Sequence, residues 1–184
     1  MNRIKPWLFA ITMSLVPMGA FAGVSTNKPT NSVSIIKPQQ NNQPIIIARS
    51  SFDSELLRLT NAERRKVGLQ PLRYSATLGR VAQSHAKDMI KNNYFDHTGL
   101  NGSQPSDRAK SAGYSYSYVG ENIAAGNKTP AETIRQWMNS PGHRANILNR
   151  NYTEIGFGYT RASTYQYEHV WVQVFGTPSR NARR

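Results

Sequence analysis

The sequence predicts a single domain of the α+β class, with helices first and strands last. Two observations carry this. Up to Leu148, apolar residues recur at helical spacing between capping signals. From Glu154 to Gly176, two runs rich in β-branched and aromatic residues, "EIGFGYT" and "YEHVWVQVFG", flank a short polar stretch and read as a hairpin. The 184-residue chain has no cysteine, which excludes disulfides, a thiol nucleophile and any cysteine-ligated metal. Stability must come from an apolar core, for which residues 51–178 suffice.

The elements follow in order. Arg3 and Lys5 precede an apolar run that ends in Ala20-Phe21-Ala22, so residues 1–22 read as a signal peptide cut after Ala22. The uncharged run from Pro6 to Gly23 holds two prolines and two glycines and is short for a membrane span. Residues 23–50, rich in Asn, Gln, Pro, Ser and Thr, read as a disordered linker, with Ile45–Ala48 as a candidate edge strand. "FDSELLRLTNAERRKVG" predicts an amphipathic helix capped by Asp53 or Ser54 and ended by Gly68. In the next helix Leu78, Val81, Ala82, His85 and Met89 form one stripe, which places His85 on a core face. "PSDRAKSAG" predicts a short third helix. Thr129 and Glu132 form a capping box around Pro130 for a fourth. Ser140 and Pro141 open a fifth, with His143 at its third position, where the helix end favours a neutral imidazole. Residues 179–184 read as a basic tail.

Formal net charge is +13, or +11 once Arg3 and Lys5 are removed with the leader. Such a charge on an exported chain points to anionic envelope or wall components. Nucleic acid is not expected, because no aromatic–basic RNA signature or basic helix-turn-helix is present.

Three stretches place titratable residues among glycines and aromatics: "YFDHTGLNG" with His97, "VGENIAAG" with Glu121, and "SPGHRANIL" with His143. They lie 24 and 22 residues apart, so only the fold can assemble them. Two neutral imidazoles and a carboxylate suit an open zinc site. They equally suit a structural triad in which Glu121 accepts from both rings. No G-x-S-x-G elbow accompanies Ser103 or Ser140. Tyr114, Tyr116 and Tyr118 read as packing residues, Trp137 and Trp171 as core, and His169 as part of a solvated face. Arg108 reads either as an anion-recognition residue or as a surface ion pair.

In this order "LTNAERRKVGLQPL", "AQSHAKDM", "YFDHTG", "DRAKSAGY", "GENIAAG", "WMNSPGHRANILN", "YTEIGFGY" and "WVQVFG" resemble the short bacterial SCP-like branch of the CAP superfamily of cysteine-rich secretory, antigen 5 and pathogenesis-related proteins. The resemblance covers Leu56 to Gly176. It implies an α–β–α sandwich with a small antiparallel sheet. It also implies a cavity of His97, Glu121 and His143, with zinc or another divalent cation on the two histidines and Glu121 reaching it through water. Ser140 stands where many eukaryotic members carry a further glutamate. The leading expectation is therefore a secreted, non-catalytic binding protein of the envelope or extracellular space. The alternatives are a metal-dependent hydrolase of peptide or wall material, with Glu121 as general base, and a surface interaction module with a structural cavity.

Overall fold

The computed structural model describes residues 43–164 and 166–180, with side chains from residue 51 onward. The leader at 1–22, the linker up to residue 42 and the tail beyond Arg180 lie outside the described residues.

Five helices and four strands follow in the order α1 (Gln43–Lys66), β1 (Arg73–Tyr74), α2 (Ala76–Lys91), α3 (Pro105–Ser111), β2 (Tyr116–Ala125), α4 (Pro130–Asn139), α5 (Pro141–Ile147), β3 (Glu154–Arg161) and β4 (His169–Pro178). The first helix begins ten residues before Asp53, so neither Asp53 nor Ser54 caps it. Pro44 sits in its first turn, where a missing N–H breaks no intrahelical bond. Ile45–Ala48 continue that helix and form neither a strand nor a coil. The α4 capping box of Thr129 and Glu132 closes reciprocally, with Pro130 at the first turn.

The sheet order is β1-β3-β4-β2. β4 pairs antiparallel with both β3 and β2, while the short β1 pairs in parallel with β3, so the sheet is mixed. Alternation along β4 divides the interior in two. Val170, Val172 and Val174 point to one face, where they meet Leu78, Val81, Ala82, Ala86 and Met89 of α2 and Ala109 of α3. Trp171 and Phe175 point to the other, against Leu56 of α1, Ile134 and Trp137 of α4, and Ile147 of α5. This is an α–β–α sandwich. The β2 strand lies at one edge of the sheet, and the candidate site is built around that edge.

His169 is not on a solvated face. It is 7% exposed, and its Nδ1 lies 2.8 Å from the Tyr159 hydroxyl. The pairing of β3 with β4 places Tyr159 beside Trp171 in a tilted ring contact, and Tyr159 stacks on His169.

Candidate functional site

Glu121 sits in β2, between Gly120 and Asn122. Alternation along an edge strand gives successive residues to opposite layers. Ile123 therefore joins the α2/α3 core and Ala124 the α4/α5 core. Glu121 reaches the α2/α3 side. His97 Nδ1 donates to its Oε1 at 2.8 Å, and Arg108 Nη2 donates to its Oε2 at 2.9 Å. The Glu121 side chain is only 1% exposed, whereas that of His97 is 45% exposed.

Arg108 ties this cluster together. Its Nη2 also donates to the His97 carbonyl at 2.9 Å, and its Nη1 to the Ser103 carbonyl at 2.8 Å. The guanidinium thus holds the carboxylate and the loop that carries its imidazole partner. The loop is further fixed by Asp96 Oδ1, which accepts from the Thr98 N–H at 2.7 Å. Arg108 is a partly exposed cation of the site, ion-paired with the enclosed carboxylate of Glu121.

Asn122 points the other way. Its amide donates to the His143 carbonyl at 3.1 Å and to Gln173 Oε1 at 3.0 Å, and its Oδ1 accepts from Asn146 Nδ2 at 2.9 Å. Asn146 also donates to the Glu121 carbonyl at 3.1 Å. Thus α5 is fastened to β2 beside Glu121, but through amides and backbone. The His143 ring makes no hydrogen bond to Glu121, and its Nδ1 is buried without a partner among the described residues. Glu121 therefore does not accept from both predicted rings; its second partner is Arg108. Burial, and then the nearby His97, push His143 below the ordinary histidine range, so its ring is held neutral.

A further imidazole belongs to the cluster. His85 lies on the buried stripe of α2, as its spacing predicts, but its Nε2 is 3.8 Å from Glu121 Oε1 and donates to the Asp96 carbonyl at 3.0 Å. Burial pushes His85 down, only partly opposed by the charge of Glu121. The signal was in the sequence as a histidine within an otherwise apolar stripe. Its partner, 36 positions on, was not.

The predicted ligands do not form a three-donor metal site. Both oxygens of Glu121 face a donor, one of them a guanidinium, and this charge opposes a cation. Among the described residues no three His, Asp or Glu side chains are grouped to enclose an ion. His97 and His143 are the residues that would hold a divalent ion, and Glu121 fixes His97 through its Nδ1.

The pattern of the CAP family, the cysteine-rich secretory protein family, matches residues 57–175. The chain belongs to this family. YkwD of Bacillus subtilis (strain 168) is 47% identical over 126 residues, which cover 68% of this chain and 47% of YkwD. An extracellular protein containing an SCP domain from Bacillus anthracis superposes with a TM-score of 0.62 at 31% identity, over 69% of this chain and 40% of its own. An outer surface protein from Borrelia burgdorferi superposes with a TM-score of 0.61 at 25% identity, over 75% of this chain and 96% of its own. The chain spans about half the length of YkwD and less than half of the B. anthracis protein. This CAP domain adopts its family's fold with no cysteine at all. No helix among its described residues is long and apolar enough to cross a membrane.

Proposed function

We propose that this CAP protein is exported and acts as a non-catalytic binding protein of the cell envelope, with an anionic envelope component as partner. The observation that carries the reading is the state of Glu121. A general base must present a free carboxylate oxygen to the proton it takes. Glu121 is enclosed, both oxygens accept hydrogen bonds, and a guanidinium neutralises its charge. Such a carboxylate organises its surroundings. The descriptions of the B. anthracis and B. burgdorferi relatives as extracellular and outer-surface proteins support the location, as does the leader pattern at residues 1–22. In this reading zinc or another divalent ion is an accessory ligand of His97 and His143, and Glu121 acts on it through His97.

The test is cosedimentation of the purified chain with isolated cell envelopes, with and without a chelator, while the supernatant is assayed for released peptide and sugar. The expected result is retention that survives chelation, with no released product. Release of wall fragments, abolished by Glu121→Gln, would establish the hydrolase instead.

A further inference from the structure

We propose that the groove between the outer face of α2 and the Asn101–Arg108 segment binds an acidic carbohydrate, a sugar chain carrying carboxylate or phosphate groups among its hydroxyls. This deepens the binding-protein reading, on which it rests, and gives that reading a site that neither His97, Glu121 nor His143 lines.

The groove follows from helix geometry. The spacing that sends Leu78, Val81, Ala82, His85 and Met89 inward leaves Ser84, Lys87, Asp88 and Lys91 together on a neighbouring face, at i, i+3, i+4 and i+7. The opposite wall is Asn101, Ser103 and Arg108, and the buried His85 also lines the space. The cavity is about 450 Å³, within the size range of small-ligand sites.

Its chemistry selects the ligand. Every lining side chain is polar, which disfavours an apolar guest. Lys87 and Lys91 are exposed and have no ion-pair partner among the described residues, so their charge is open to a ligand in the groove. Arg108 uses Nη1 and Nη2 on Ser103, His97 and Glu121, and its Nε–H is buried with no acceptor among the described residues. That Nε is enclosed, so Arg108 gives the groove wall its charge rather than a free donor. Together these groups favour a ligand with anionic oxygens. Asp88, which accepts from Asn92 and Tyr94, adds the opposite demand. Its carboxylate repels a bare polyanion and favours a ligand that also offers hydroxyl donors. A sugar acid or sugar phosphate meets both requirements.

The experiment is calorimetric titration of the full chain with trigalacturonic acid, with oligomeric glycerol phosphate, and with uncharged maltotriose. The same titrations are run on Lys87→Ala/Lys91→Ala and on a charge-matched control, Arg65→Ala/Arg150→Ala, whose exposed arginines do not line the groove. At least one acidic probe should bind, and the groove variant should weaken it about tenfold while the control changes it less than about twofold. Binding of trigalacturonate alone identifies carboxylate as the recognised group, and of glycerol phosphate alone, phosphate. Equal weakening in both variants would overturn the proposal, because it would reduce binding to general surface charge. So would maltotriose binding as tightly as the acidic probes, or no probe binding at all. Envelope retention unaffected by Lys87→Ala/Lys91→Ala would sink the groove and leave the binding-protein reading standing; absence of retention would sink that reading itself.

Discussion

His85 is one of two histidines through which burial couples the stability of this molecule to pH. It is buried, its Nε2–H is committed to the Asp96 carbonyl, and burial lowers its pKa in the folded state. His143 is shifted the same way, chiefly by burial. A histidine with a depressed folded pKa is neutral in the native protein while its unfolded counterpart takes up a proton near pH 6.5. Below that pH the unfolded state binds more protons, so stability is full above about pH 6.5 and declines as pH falls toward the depressed folded pKa values. Urea unfolding at pH 7.5, 6.5 and 5.5 should therefore give a falling midpoint, and His85→Gln should flatten the decline. A midpoint independent of pH across this range would contradict the assignment. The three residues singled out by sequence, His97, Glu121 and His143, all arrive at the β2 edge, but only the first two touch. Arg108 and His85 complete the cluster because of contacts spanning 13 and 36 positions, which no local pattern encodes.

At the scale of the element, α2 and β3 pack backbone against backbone. A Cβ on Gly156 would lie 2.1 Å from the Gly79 nitrogen, and one on Gly158 would lie 2.3 Å from the Ala82 carbonyl carbon. These neighbours are helix backbone and cannot turn aside, so the glycines of "EIGFGYT" exist to let the helix lie on the strand. Gly158→Ala should destabilise the domain by about 3 kcal/mol, at the upper end for overpacking, read as a lowered urea midpoint with an unchanged slope. A change within about 0.5 kcal/mol would mean that α2 can lift from the sheet. The capping box of α4 and the β3–β4 hairpin are legible because their signals are local. The β2 strand is not, since "YSYVGENIAA" carries neither strict alternation nor a turn to a neighbouring strand; its partner β4 lies more than 40 residues on. The start of α1 is hidden for a related reason. The Asn, Gln and Pro composition before Phe52 resembles a tether, yet helix runs back through it to Gln43.

Across the whole molecule, β4 is the shared wall of both cores, buried along Val170–Phe175 and alternating its side chains between them. Trp137 and Trp171 lie in the α4/α5 layer, each fully buried, with indole N–H groups on the carbonyls of Ile123 and Asn127. Arg64 crosses from α1 to hold the carbonyls of Ile147 and Asn149. Because neither layer can keep its apolar face covered without β4, the two should unfold together. Fluorescence of Trp137 and Trp171, read on a Trp7→Phe chain, reports the α4/α5 layer, and hydrogen exchange of the α2 amides reports the other; the two should give superimposable urea curves. Separated midpoints would show that the layers are independent units. The sequence by itself determined the α+β class, the family, the capping box of α4 and the β3–β4 hairpin, because these are written in local spacing and ordered motifs. Only the tertiary structure decided that Glu121 answers to Arg108 as well as His97, that His143 stands beside the pair without bonding it, and that α2 presents a polar groove. Those outcomes depend on which elements cross the β2 edge and at what distance, and that is fixed by packing around a sheet whose strands are far apart in the chain.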